Sequence, residues 1–286
     1  MASLATSARA SSLRSGARRG LGTAVKATAA AADLVRRPAP GVVVLIYHRV
    51  GRRTTSNVDL ARDVFDAQVG ELSAARRIIS IDEAADRIER GDPVSGPPPV
   101  VLTFDDGTVD WVEEALPVLA AHRAPATFYV ATDFVERGEA FPGDGAPISW
   151  SGLAELAASG LATIGSHTHT HALLDRTDGP TAAAELDRSI DLFGERLGLS
   201  CHHFAYPKAL LGSDAARTEV ARRFRTAAIA GSRANAAGAD LQRLTRTPVQ
   251  VTDGMGWFRR KAAGGMALED RLRAVASRGR YAGATT

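Results

Sequence analysis

One cysteine, Cys201, stands in 286 residues, so no intramolecular disulfide can form and no multi-cysteine metal site can be built. Stability must come from packing. Apolar runs are short: the longest, Val42-Val43-Val44-Leu45-Ile46-Tyr47, is far below the ~20 residues of a membrane-spanning helix and suits a buried strand. Aromatic residues make up only 6% of the chain, but 45% of it is hydrophobic and 23% charged, enough to bury a core as one large domain or two small ones and too apolar for wholesale disorder. A large excess of positive charge is also missing, because the net charge is only +3.

That small sum hides an asymmetry. Residues 1–37 hold seven basic and one acidic residue, residues 255–286 hold seven and two, and the stretch between them holds 21 basic against 29 acidic. The body is therefore acidic and would repel a polyanion, which argues against nucleic acid as a partner. The basic ends are instead suited to anionic lipid, with Trp257-Phe258-Arg259-Arg260-Lys261 as the expected contact. Residues 1–37 are rich in Ala, Ser and Arg, interrupted by Gly16, Gly20 and Gly22, with no continuous apolar segment behind the early arginines. They read as a basic, disordered or weakly helical leader rather than a secretory signal, and the expected location is cytoplasmic, peripheral to the membrane at most. Residues 38–254 form the expected folded domain, and 255–286 a basic C-terminal helix and tail.

Between these ends, short apolar runs alternate with amphipathic stretches, the pattern of parallel strands joined by crossover helices. Strands are predicted at 42–47, 77–81, 99–104, 126–131, 162–166, 202–206, 226–230 and 244–251. Helices are predicted at 63–75, 82–90, 109–122, 150–159, 180–197, 213–224 and 266–278. In the third of these Val112, Leu116 and Leu119 form an apolar stripe, which Pro117 should kink. The alternation fits a doubly wound sheet or a barrel, and either fold gathers catalytic groups past the C-terminal ends of its strands.

Two strand ends are chemically loaded. Val100–Phe104 runs into Asp105-Asp106-Gly107, adjacent carboxylates that call for a cation or a proton to relieve them. Leu161–Gly165 runs into Ser166-His167-Thr168-His169-Thr170-His171. In a helical turn His167 and His171 would share a face; in extended chain all three histidines would. Two histidines and a carboxylate make a metal site with coordination left open for water, hydrolytic in character.

In these motifs the chain resembles the polysaccharide deacetylases, the metal-dependent carbohydrate N-deacetylases of the NodB-homology type. The first motif reads Thr103-Phe104-Asp105-Asp106-Gly107, the second His167-Thr168-His169-Thr170-His171, and the third Phe204-Ala205-Tyr206-Pro207. The segments Leu45–Val50, Pro125–Val130, Ile148–Trp150 and Arg246–Val249 continue the resemblance over roughly residues 42–251.

The resemblance implies an α/β fold, a deformed (β/α)₇ barrel, holding one divalent metal ion, zinc by family habit. Asp106, His167 and His171 would be the ligands and Asp105 the general base, with an N-acetylated glycan as substrate. The backbone N–H of Tyr206 would stabilise the oxyanion. This chain departs from the commonest third motif by carrying Ala205 where an arginine usually holds the base. Arg246 is the expected replacement, with Arg243 second. No histidine follows His203, so the proton donor to the departing amine is expected to be His48, with His169 behind it. Trp111, Phe141, Trp150 and Tyr206 are the aromatic candidates for stacking on sugar. A catalytically impaired carbohydrate-binding or interaction protein on the same barrel is the alternative, and a first-strand His-x-His amidohydrolase is a third reading, disfavoured by the motif's place midway along the chain.

Overall fold

The computed structural model describes residue 22 and residues 24–278. A helix over residues 24–35 (α1) comes first. Strands β1 (Val43–Tyr47), β4 (Val100–Asp106), β5 (Ala126–Val130), β6 (Ala162–Ser166), β7 (His203–Ala205), β8 (Thr226–Ala230) and β9 (Leu244–Pro248) close into a seven-stranded barrel. All neighbours are parallel, with β1 against both β4 (Leu45↔Leu102) and β9 (Val44↔Arg246). A small pair, β2 (Arg49–Val50) and β3 (Asp59–Leu60), sits beyond β1. Helices α2 (Arg62–Ala74), α3 (Ile81–Arg90), α4 (Leu116–His122), α5 (Thr132–Arg137), α6 (Trp150–Ala158), α7 (Gly179–Leu197) and α8 (Asp214–Arg223) connect the strands, and α9 (Gly254–Ala262) and α10 (Ala267–Arg278) follow. The expected (β/α)₇ barrel is thus the fold.

Strand alternation divides the core in two. Val43, Leu45, Tyr47, Val100, Leu102, Phe104 and Phe128 point outward and join one apolar cluster with the helices. The alternate residues Val44, Val101, Tyr129, Ala205, Ala228 and Leu244 form a second cluster, which Ile81, Ala84 and Ile88 of α3 close at one end. Above it, the inward positions become polar. The barrel is irregular at β6–β7, where pairing shrinks to Ser166↔Phe204.

Several expectations are corrected. Residues 77–81 are not a strand: Ile78 makes one bridge to Val100, then Ser80 caps α3 by accepting from Glu83 N–H. Their apolar residues serve the barrel floor, and a short apolar run does not distinguish that use from a strand. The predicted helix 109–122 is a π-helical turn, Trp111–Ala115, followed by α4, with Pro117 in the first turn of α4, where its missing N–H is harmless. Strand β9 stops at Pro248, short of 251.

The part of the leader that is described is ordered. Ala29 and Ala30 of α1 are buried against Met266, and Lys26 is buried in an ion pair with Asp253, which also binds Lys261 at 2.7 Å. A buried carboxylate between two ammonium groups docks α1 in a way that composition cannot reveal. The rest of the leader, and residues 279–286, lie outside the described residues. In the segment expected to meet lipid, Phe258 and Lys261 are fully buried and Arg259 pairs with Glu71 at 2.8 Å, while Arg259 and Arg260 are exposed and Trp257 is half-buried. Among the described residues no helix is long and apolar enough to cross a membrane.

Candidate metal centre and active site

Asp105 and Asp106 are adjacent, so regular alternation would send them to opposite faces of β4. Asp105 takes the inward position and is buried. There it meets Arg246, which reaches across from β9 with both guanidinium nitrogens: Nη1 to Oδ1 at 2.6 Å and Nη2 to Oδ2 at 2.8 Å. Arg246 is fully buried. Its Nη1 also donates to Thr103 Oγ1 at 3.1 Å, whose hydroxyl donates on to the Leu45 carbonyl at 2.8 Å, and its guanidinium carbon lies 5.0 Å from the Tyr129 ring centroid. The fork, the hydroxyl and the ring leave it little freedom. Burial is the largest influence and pushes the Asp105 carboxyl upward, but the Arg246 guanidinium, with His167 and His48 nearby, outweighs it and holds the carboxyl at about 2. Arg243, the second choice, is exposed in the turn before β9 and is not part of this pair.

Asp106 escapes the opposite face through its backbone. Its φ is +89°, and Gly107 follows at +123°, so the chain turns as the strand ends. A left-handed aspartate is uncommon and strained, and here it brings a second carboxylate to the same mouth.

The histidines arrive from β6. His167, which follows Ser166 directly, is buried, and its Nδ1 lies 2.7 Å from the Ala205 carbonyl. A carbonyl can only accept, so Nδ1 carries the proton and Nε2 presents a lone pair. His167 Nε2 lies 3.8 Å and His171 Nε2 3.6 Å from Asp106 Oδ1, and the three ligand atoms all fall within 4.8 Å of one another. Among the described residues this is the one such group of three or more metal-ligating side chains. The segment is neither the helical turn nor the extended chain that spacing allowed: Thr168 (φ +63°) and His171 (φ +64°) are left-handed, and the loop folds His171 back beside His167. His169 is turned away, its Nδ1 2.9 Å from Thr132 Oγ1. Burial lowers both ligand imidazoles, His171 to about 3, so they stay neutral at physiological pH. Burial raises Asp106, while the imidazoles around it, His48 foremost, hold it below the usual carboxylate range.

One carboxylate and two neutral imidazoles fit a divalent cation of the zinc type. Separations of 3.6 and 3.8 Å suit atoms straddling an ion with bonds near 2 Å, and the Ala205 carbonyl fixes the tautomer that frees Nε2 of His167.

His48 follows β1 directly, its carbonyl held by Trp111 Nε1 at 2.7 Å, while the nearby Val50 N–H donates to Asp110 Oδ2 at 2.7 Å. Its Nδ1 is buried with no hydrogen-bond partner among the described residues, and the ring lies near enough to Asp105 and Asp106 to lower both carboxyls. His48 therefore belongs to the same mouth.

Tyr206 does not do what was expected. Its N–H donates to the Ala228 carbonyl at 3.0 Å, and its ring is buried edge-on against Phe204 in the outer core. Neither the amide nor the ring is available to a substrate, because Tyr206 still obeys the β7–β8 ladder. In the turn that follows, Ala209 and Leu210 N–H groups bond to the Tyr206 and Pro207 carbonyls, whereas among the described residues no acceptor is seen for the N–H of Lys208, a left-handed residue at φ +52°. Trp111 and Phe141 are likewise buried, and Trp150 is half-buried with its Nε1 on Glu136 at 2.6 Å. Aromatic type alone could not separate core from platform.

Three residues that shape the site were absent from the expected set. Thr103 and Tyr129 hold Arg246, and Arg49 donates to the Gly143 and Pro142 carbonyls at 2.6 and 3.0 Å, pinning that loop beside the mouth. Thr103 and Tyr129 sit at inward strand positions, which was the available signal; Arg49 had none.

Residues 93–227, the span that carries Asp105, Asp106, His167 and His171, match the family model described as polysaccharide deacetylase. The matched span is a polysaccharide deacetylase domain. Solved structures with this fold include IcaB from Ammonifex degensii, at 27% identity and TM-score 0.66, covering 79% of this chain and 99% of that one. The Streptococcus pyogenes deacetylase PplD, in complex with acetate, is 21% identical with TM-score 0.66, over 82% of this chain and 98% of that one. BC0361, a polysaccharide deacetylase from Bacillus cereus, is 23% identical with TM-score 0.64, over 78% and 69%. At the identities of the last two, the likeness concerns the fold alone. No curated protein sequence matches the chain. The family match and the barrel together support a carbohydrate deacetylase, a hydrolase by class.

Proposed function

We propose that the protein is a metal-dependent N-deacetylase that hydrolyses the acetamide of an amino sugar within a glycan or glycan precursor, releasing acetate and leaving a free amine. The observation that carries this reading is the convergence of Asp106, His167 and His171 beside an independently held, ionised Asp105. A divalent ion held by those three, zinc by their donor chemistry, would polarise the acetamide carbonyl and lower the pKa of water to about 7.

The rest is the work of the chain. Asp105 accepts the proton of the attacking water at a carboxylate oxygen. Arg246 keeps that carboxylate charged and aimed, which is the task the third motif leaves undone at Ala205. The Lys208 N–H, which lacks an acceptor in its turn, takes the oxyanion role expected of Tyr206. His48 delivers a proton from its imidazole to the nitrogen of the departing amine, so that the sugar leaves neutral.

The test is acetate release from a panel of N-acetylated oligosaccharides by metal-free and zinc-loaded protein. Release that depends on metal and is lost in Asp106→Asn supports the reading. Stoichiometric zinc uptake with no acetate from any acetylated glycan would replace it with the carbohydrate-binding alternative.

A further inference from the structure

Between the two ligand histidines lie Thr168, His169 and Thr170, and every amide of that segment is held by a side chain. Thr168 N–H donates to Ser166 Oγ at 3.2 Å. The other two go to a single carboxylate on α7: Glu185 Oε2 accepts from His169 N–H at 3.1 Å and from Thr170 N–H at 2.8 Å, and Oε1 accepts the Thr170 hydroxyl at 2.9 Å. One helical turn further, Ser189 Oγ lies 2.7 Å from Ser166 Oγ. Ser189 donates its own proton to the Leu186 carbonyl at 2.8 Å, so Ser166 is the donor between the two hydroxyls. Residues 185 and 189 are four apart, so one face of α7 grips the loop at its entry and at its middle.

No cationic partner for Glu185 is seen among the described residues; its bonding goes to the loop. The loop needs such a hold, because the left-handed Thr168 and His171 each carry backbone strain. Bonds from amides to an ionised carboxylate are stronger than neutral ones and can offset that strain. With the carboxylate gone, the strained residues can relax, and His171 then swings away from His167 and Asp106.

We infer that Glu185 is a positioning residue of the metal centre, holding the 168–170 segment so that His167 and His171 converge on one cation, with Ser189 as its lesser companion. The inference rests on the proposed metal-dependent reading.

Zinc affinity, measured by competition with a chromophoric chelator on the full chain, is the readout, alongside thermal melting of the zinc-free protein. Glu185→Ala is expected to weaken zinc binding about 10- to 100-fold, the usual range for groups that orient ligands. Glu185→Gln retains an acceptor oxygen for the amides and should stay within about fivefold of wild type; Glu185→Asp, one methylene too short to reach, should behave like Ala. If the Ala variant lacks a cooperative melt, the Gln and Asp pair carries the test. Zinc affinity within twofold of wild type in the Ala or Asp variant, whatever its melting temperature, would overturn the inference while leaving the deacetylase reading standing. A wild-type chain that takes up no zinc would instead remove that reading, and this inference with it.

Discussion

Replacing Arg246 by Met removes the guanidinium from a fully buried pair while nearly preserving its volume, and leaves Asp105 charged with no partner for its two oxygens. In the wild type Arg246, with His167 and His48 behind it, draws the Asp105 carboxyl down against burial from 3.8 to about 2, roughly 2–3 kcal/mol of preference for the charged form. Deleting one member of a buried ion pair costs about 3–5 kcal/mol. Taking about 3 kcal/mol, and about 2–4 °C per kcal/mol for a domain of this size, the melting temperature at pH 7 should fall by roughly 6–12 °C.

The pH dependence has a definite sign. The wild-type contribution of Asp105 is complete above pH 3.8 and is lost as pH falls toward 2, because its folded pKa is depressed. In Arg246→Met burial, the largest influence on the carboxyl, is opposed only by His167 and His48, so its pKa rises and protonation relieves the damage. The gap between wild type and variant should therefore be widest near neutrality and shrink toward pH 3. The double variant Asp105→Asn/Arg246→Met should recover part of the stability, since no orphan charge remains, but none of the activity. Acetate release by zinc-loaded Arg246→Met should fall about 100-fold or more in kcat, with KM changed only a few-fold. A single variant that melts with wild type across this pH range, or that keeps wild-type kcat, would refute the argument.

His48→Gln should lower kcat about 100-fold on amino-sugar substrates, yet much less on an acetanilide, whose better leaving group needs less protonation; equal losses on both would remove the proton-donor role. Asp110, raised to about 6 by burial, costs the fold stability as pH climbs from 3.8 through 6. Asp110→Asn keeps an acceptor for the Val50 N–H, so it should raise stability by roughly 1–3 kcal/mol at pH 7.5 and by nothing at pH 3.5, read from denaturant melts at the two pH values. Asp253→Ala leaves Lys26 and Lys261 buried without their shared carboxylate and should destabilise by about 3–5 kcal/mol, with hydrogen exchange over 24–35 accelerating more than over the barrel strands.

The sequence by itself determined where the seven barrel strands lie, with one false strand at 77–81, and which residue types stand at the strand ends. Strand residues buried on both faces must be apolar runs, and an acidic pair and a histidine triplet at two strand ends are conspicuous against that background. The separation of 141 positions from Asp105 to Arg246 was bridged by an argument from need: a buried carboxylate requires a cation, and the third motif lacks one. What only the tertiary structure decided concerns direction and competition for hydrogen bonds. Positive φ at Asp106 and His171 turns adjacent and near-adjacent side chains to one point, and a backbone angle of that kind leaves no mark in a non-glycine sequence. The Tyr206 amide was lost to the Ala228 carbonyl, since the ladder claims every amide it can reach, and where β7 ends depends on β8. Glu185, on a helix that periodicity located well, looks like any solvent-facing acid until the loop it holds is folded against it. Lys26, Asp253 and Lys261 likewise become one buried cluster only when α1 and α9 meet, because charge type is written in the chain and burial is not.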